Sequence, residues 1–371
     1  MIAVFTILLC VFSASAFAAD LSFTTETVDA RVGTGQYASI AMDTQGRVWV
    51  GYRRVTGPYA AEYCVAVRDA GVWTIETAYA STRRPSRLVL MAGDVPGVAW
   101  PGNSGVVFSS RPGAPGTPWV QEDFSGGYAP WAAEIECDRF GVVHAYNHWS
   151  FHNFGTLEYS VRTGAGWLTE QMDWSPYIFI AHEAKADIAI ADDGSVHMAI
   201  VAQRQVPFGM EYWRRAGGNW ITEMLPHGDW PSIVVTGLGP IVSYHDFETG
   251  TLRYQWRVGG TWYGGEIDPF SSGRYSEIVQ GLDGTLHVAY YDDGNGDLRY
   301  AVKAPGAWEI HTVDAVGDVG AWSSIVLDVN GHPHFAYQDA NNFTMKYATL
   351  DLPTPVEVKS WGALKAIFEQ R

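Results

Sequence analysis

Three tyrosine–aspartate pairs share one spacing: Tyr244/Asp246, Tyr290/Asp292 and Tyr337/Asp339. Five further aromatic residues, Tyr37, Trp131, Trp230, Tyr275 and Trp322, each stand just ahead of a short apolar run. An aromatic face stacks on the C–H groups of a sugar, and a carboxylate accepts from its hydroxyls. Together the two sets suit a glycan. They also have a plainer use, since rings can fill a channel and aspartates can close turns.

Other residues suggest other chemistry. The stretch YNHWSFHNFG (146–155) is rich in His, Trp and Phe, as functional loops on rigid scaffolds often are. His148 and His152 within it could meet a sugar or a metal, although no neighbouring Cys or carboxylate completes a metal set. Asp293, Asn295 and Asp297 have the D-x-N-x-D spacing of a calcium loop. Leu298 stands where such a loop needs Gly, and no bidentate Glu follows at the proper distance, so calcium is the one cofactor suggested and a simple Gly-rich turn is the alternative. His144, His197, His287 and His334 recur at one position of a repeat, which argues for a repeated hydrogen bond rather than a single active site. The chain has no G-x-S-x-G elbow, no H-E-x-x-H and no evident Cys–His pairing, so no catalytic residue is assigned. Carboxylate pairs across repeats could still serve glycoside chemistry.

The elements that must position these residues form a repeat. From Trp322 to Tyr347 the chain reads strand, turn, strand, turn, strand, with Asn330-Gly331 and Asn341-Asn342 as turns. Seven copies follow one another. Each has an aromatic in its third strand (Tyr63, Phe108, Tyr159, Tyr212, Tyr254, Tyr300, Tyr347), spaced by 42–53 residues. Six open a fourth strand with tryptophan: Trp73, Trp119, Trp167, Trp220, Trp262 and Trp308. The last copy lacks a fourth strand, and FTTETVD (23–29) matches WEIHTVD (308–314), so the N-terminal end supplies it. Spacing, strand count and closure predict an all-β fold: a seven-bladed β-propeller of four-stranded antiparallel blades, with the N-terminal strand closing the last blade. The fourteen aromatics are expected between blades. Up-and-down strands then bring the first-strand aromatics and the Tyr/Asp pairs to one face, at the mouth of the central channel. Tyr52, Trp100 and Tyr146 end second strands on that face as well.

The unit Ser324-Ile325, Asp328, Gly331, His334, Tyr337, Asp339 resembles secreted bacterial propeller repeats loosely grouped with sialidase-like and Asp-box proteins. The first copy keeps Ser39-Ile40, Asp43 and Gly46. The resemblance covers nearly the whole chain through structural positions. The sequence departs from sialidases at their active site: its turns read D-x-x-G, and Tyr52-Arg53-Arg54-Val55 lacks the Ile-Pro of the F/Y-R-I-P motif. No arginine triad with a Tyr/Glu pair can be assigned.

Bulk properties agree. Of 371 residues, 47% are hydrophobic and only 17% charged, and the net charge of −16 disfavours nucleic acid and anionic membranes as partners. Residues 1–19 read as a cleaved secretory signal, with Ala16-Phe17-Ala18 at the cleavage site, so export to the periplasm or beyond is expected. Nothing else could insert in a membrane. The mature chain keeps Cys64 and Cys137, in different repeats and expected to be free. Residues 20–352 make the propeller, and 353–371 a Pro-containing linker and a short amphipathic C-terminal helix with Trp361, Leu364, Ile367 and Phe368 on one stripe. The expected protein is a monomeric, secreted propeller that binds a glycan or an extracellular protein partner through its top-face aromatic and Asp loops, without catalysis. The alternative is a carbohydrate-active enzyme, a sialidase-like glycoside hydrolase or a polysaccharide lyase, using the same face.

Overall fold

A computed structural model describes residues 21–80, 87–102, 105–124, 132–151, 154–175, 186–202, 209–303 and 306–350. The segment read as a signal, Trp131, His152 and the residues expected to form a C-terminal helix lie outside them. Among the described residues, 28 strands form seven four-stranded antiparallel sheets, one per repeat, and there is no helix. The fold is a seven-bladed β-propeller. Its channel-facing first strands are Gln36–Met42, Val89–Met91, Ala132–Cys137, Ala186–Ile190, Gly228–Thr236, Arg274–Gln280 and Val319–Leu327, in blades 1 to 7.

The seventh blade is closed by the other end of the chain. Phe23–Asp29 pairs antiparallel with Thr344–Leu350, Phe23 opposite Leu350 and Glu26 opposite Tyr347. This leaves the third strand of blade 7 no free edge to template another chain. The D-x-x-G turns join first and second strands. In blade 7 the Asp328 carboxylate accepts from the backbone N–H groups of Asn330 and His332, both at 2.8 Å. Gly331 then takes φ 83°, a conformation that disfavours a Cβ.

The repeated aromatics lie between blades. In six of the seven blades the residue opening the fourth strand meets the third-strand ring of the preceding blade edge-on, as in Trp220–Tyr159, Trp262–Tyr212, Trp308–Tyr254 and Phe23–Tyr300, with centroids 5.0–6.1 Å apart. This is the favoured geometry of aromatic pairs. A charged staple sits beside them. Glu170 accepts 2.5 and 3.0 Å bonds from Arg215 and a 2.8 Å bond from the Trp220 indole. Glu223 with Arg257 and Trp262, and Glu122 with Arg162 and Trp167, repeat the arrangement. The four recurrent histidines are also structural. Their Nδ1 atoms lie 2.5–2.7 Å from the hydroxyls of Tyr159, Tyr212, Tyr300 and Tyr347. Cys64 and Cys137 are free, Cys64 fully buried.

Candidate functional site

The first strands carry one equivalent position just ahead of an Ile or Leu: Ser39, Arg87, Glu134, Asp187, Ser232, Glu277 and Ser324, in blades 1 to 7. All seven line one cavity in the bore. Five of them bind a backbone N–H of a neighbouring blade. Ser39 accepts from Leu88, Asp187 from Ile233, Ser232 from Ile278, Glu277 from Ile325 and Ser324 from Ile40, at 2.8–3.2 Å. Arg87 cannot accept in this way and instead crosses the bore. Its guanidinium lies 2.7 Å from Glu136, 3.0 Å from Asp187 and 3.1 Å from Glu277, three carboxylates from three other blades. Burial opposes its charge, but the facing acids more than offset that, and the net effect holds Arg87 firmly protonated. Burial pushes the Glu136 carboxyl above its usual range, against the pull of Arg87. The cavity around the ring leaves about 40 Å³, room for about three waters and not for a sugar ring.

Above this ring stand the first-strand aromatics. Tyr37, Trp230, Tyr275 and Trp322 belong to blades 1, 5, 6 and 7, four neighbours around the ring. Each has a left-handed backbone, with φ of 53–57°. Each also sits where the pairing of first and second strands slips, between Gln36 and Ser39, Asp229 and Ser232, Arg274 and Glu277, or Ala321 and Ser324. The bulge turns the side chain out of the sheet towards the channel axis. Left-handed backbone costs a bulky residue about 1–3 kcal/mol, and its fourfold recurrence marks a position kept for its side chain. The rings form one arc. Tyr37 lies 4.2 Å from Trp322, Trp322 4.5 Å from Tyr275 and Tyr275 4.3 Å from Trp230, centroid to centroid; Trp230 also meets Trp322 at 5.6 Å and is itself buried, so it backs the half-buried Tyr37, Tyr275 and Trp322. Tyr291 continues it at 6.1 Å from Tyr275, and its hydroxyl donates to Asp318. Serines lock the arc from behind: Ser323 donates to the Tyr275 carbonyl at 2.9 Å and Ser276 to the Trp230 carbonyl at 3.3 Å. Tyr37 and Trp322 line the same cavity as the charged ring, so arc and ring face one space.

The other candidates lie elsewhere. Tyr244, Tyr290 and Tyr337 are fully buried, with their hydroxyls directed to protein partners. The Tyr290 hydroxyl donates to Asp268 at 2.6 Å and that of Tyr337 to Asp314 at 2.7 Å, each carboxylate closing the fourth strand of the preceding blade. Tyr52 does the same to Asp29. Tyr244 instead donates to Asp246 at 3.5 Å and receives the Gln255 amide at 3.2 Å. The partner aspartates close turns. Asp246 accepts from the Glu248 and Thr249 N–H groups, Asp339 from Asn342, and Asp292 from the Asn295 side chain. His148 is 4% exposed, its ring 6.1 Å from Tyr146.

The D-x-N-x-D loop does not fit calcium. Asp293 faces Arg274 at 3.4 Å and accepts from Ser272, while Asn295 turns its amide to Asp292. Asp297 meets the negative charge of Asp292 and is pushed up, chiefly by burial. The side chains therefore have separate partners and offer no common set of oxygens. Among the described residues no three His, Cys, Asp or Glu side chains gather as a metal site.

Sequence reasoning missed Arg87, its acid partners, Tyr291 and the bulge serines. The signal for the ring was present as the residue before each first-strand Ile or Leu. Aligning the copies on Ser-Ile hid it, because the informative copies depart from serine.

No protein-family model and no curated protein matches the chain. Solved structures do. A protein of unknown function from Dyadobacter fermentans is 11% identical with a TM-score of 0.56, over 90% of this chain and 99% of that one. The polysaccharide lyase Uly1 is 8% identical with a TM-score of 0.60, over 90% of this chain and 100% of that one. The Hadza microbial sialidase Hz136 is 11% identical with a TM-score of 0.51, over 89% of this chain and 68% of that one. At such identities the likeness speaks for the β-propeller fold alone.

Proposed function

We propose that this is a secreted glycan-binding propeller whose ligand lies across the aromatic mouth and is not cleaved there. The observation that carries the proposal is the arc of Tyr37, Trp322, Tyr275 and Trp230, held by four left-handed bulges. Strained backbone kept at four equivalent positions calls for a common purpose, and a continuous aromatic surface at a channel mouth suits the C–H faces of a sugar chain. A carbohydrate role also agrees with a polysaccharide lyase and a sialidase among the solved structures of like fold. Export rests on the signal-like residues 1–19 and agrees with such a role.

Binding is favoured over turnover because the acids of the bore are engaged. Asp187 and Glu277 each hold a neighbouring backbone N–H and Arg87, and the space between them admits no sugar. One observation favours the enzyme reading: Glu136, with its carboxyl pushed up by burial, stands beside Arg87 in a network with two other carboxylates, as a general acid can.

The test is thermal unfolding of residues 20–371 against a panel of neutral, acidic and amino oligosaccharides, with product analysis of the same mixtures. A ligand that binds the native state raises the midpoint by mass action. Binding predicts that one sugar class raises the midpoint with no new product. Appearance of shorter or unsaturated sugars supports the enzyme instead. No shift with any sugar contradicts both and leaves an extracellular protein as the partner to seek.

A further inference from the structure

On the face opposite the mouth, where first strands turn into second strands, blades 4 and 5 enclose a cleft of about 610 Å³. Small-molecule sites run from about 300 to 1,000 Å³. Residues 190–193 with Ser195, Tyr212 and Arg214 form one wall, residues 235–240 with Arg257 the other, and Gln280 of blade 6 completes it. All of these are among the described residues. Residues 176–185 and 203–208, which are not, join strand ends on the mouth face, and residues 351–371 follow blade 7, two blades away from blade 5.

Arg214 breaks the repeat. It stands two residues after the third-strand tyrosine, where the other blades carry Val65, Ser110, Val161, Trp256, Val302 and Thr349. It is not a stapling arginine, since its neighbour Arg215 serves Glu170. Among the described residues Arg214 has no ion-pair partner, and its Nε is buried without a hydrogen bond. An acceptor brought by a ligand would satisfy that donor.

The acids around Arg214 have closer partners. Glu223 accepts from Arg257 at 2.7 and 3.0 Å and from the Trp262 indole at 2.6 Å. Asp193 accepts from the Ser195 N–H at 2.9 Å and its hydroxyl at 2.6 Å, and Asp192 lies 3.5 Å from Arg139. Asp193 and Glu223 nonetheless stay close enough to feel the Arg214 charge. Asp192, Asp193 and Glu223 thus balance Arg139, Arg214 and Arg257 one for one. The cleft has an unmet donor without a net positive field, which suits a single negative charge and disfavours a dianion or a polyanion. Its remaining lining suits a hydroxylated ring: Asp192 and the Gln280 carbonyl accept hydroxyls, and Leu238, 82% exposed, makes an apolar lip with Pro240.

We propose that this cleft binds a sugar acid, its carboxylate on Arg214, its hydroxyls on Asp192 and Gln280, and one face of its ring against Leu238 and Pro240. The site is separate from the aromatic arc and does not depend on it.

The experiment is calorimetric titration of residues 20–371 with four ligands: glucuronate, its neutral methyl ester, inorganic sulfate and an N-acetylated dipeptide with a free carboxylate. The unaltered protein is compared with Arg214→Val, which installs the residue that blades 1, 3 and 6 carry, and with Trp322→Ala, which breaks the arc. Glucuronate is expected to bind the unaltered and Trp322→Ala proteins alike, and Arg214→Val at least about tenfold more weakly, as loss of a charge-assisted bond implies. The ester is expected to be weaker than glucuronate by a similar factor. Glucuronate affinity unchanged in Arg214→Val, or lost in Trp322→Ala, overturns the cleft as its site, and the second result places the sugar at the mouth instead. Tighter binding of sulfate or of the dipeptide overturns the assignment to a sugar acid. Absence of heat from all four overturns the site, whatever the mouth binds. Should Arg214→Val fail to fold, the preference for glucuronate over its ester is measured in the Trp322→Ala protein, where its loss overturns the proposal.

Discussion

At position 87 blade 2 carries an arginine where the other copies carry serine or an acid, and its surroundings are built to receive it. Removing one partner from such a network leaves the others as unbalanced charge in a confined space, which destabilises more than the intact pair stabilises. Arg87→Ala is expected to lower the unfolding free energy by about 3 kcal/mol, at the low end for a buried pair because the side chain keeps 24% exposure. Urea unfolding followed by tryptophan fluorescence measures this, and a loss below about 0.5 kcal/mol, ordinary for a surface site, contradicts the role given to Arg87. At this scale the sequence was read least well. Tyrosine followed by aspartate resembles a sugar site in one dimension. In the fold the Tyr290 hydroxyl points sideways into the preceding blade, to an aspartate 22 residues earlier. Spacing along one strand carries no sign of that partner. The first-strand aromatics were legible because their position ahead of an apolar run placed them at a strand end facing the channel. Their left-handed backbone was not legible, because sequence rules reserve that region for Gly and Asn.

The elements respond to pH through their repeated histidines. Burial holds His197 and His334 down to about 4, and lowers His144 and His287 as well. The unfolded chain takes up these protons near pH 6.5, whereas the folded chain resists them. Between those values the unfolded state binds more protons, so stability rises with pH there and is lost as pH falls. The stapling carboxylates add to the loss at lower pH. Arg162 holds Glu122 below its usual range, and Arg215 and Trp220 outweigh burial at Glu170. Their contribution is present above the unfolded value and disappears as they protonate. The urea midpoint is therefore expected to be level above pH 7 and to fall steadily from about pH 6.5 to 4. A midpoint constant to pH 5 contradicts the buried, neutral histidines. Recurrence at one strand position sufficed to identify these four residues as structural, since a hydrogen bond repeated in four blades needs no knowledge of the channel.

The whole molecule depends on its closure. The strand Phe23–Asp29 completes blade 7, brings Glu26 to Trp73 and Arg68, and places Asp29 against Tyr52 of blade 1. Deleting residues 21–29 is expected to expose the edge of Thr344–Leu350, abolish cooperative unfolding and promote aggregation, as seen by size exclusion and a urea titration. A monomeric, cooperatively folding deletion contradicts the closure. This level was the most legible, because seven copies and one missing strand leave few other topologies. The measurement that tests the central claim most directly is the affinity of the Trp322→Ala protein for a sugar that shifts the unfolding midpoint of the unaltered protein. Trp322 touches both Tyr37 and Tyr275, so its loss breaks the arc in the middle. Stacking on one ring is worth roughly 1–3 kcal/mol, so affinity is predicted to fall at least about fivefold while the urea midpoint stays close to that of the unaltered protein. Unchanged affinity in a folded Trp322→Ala protein would contradict the aromatic mouth as the binding site.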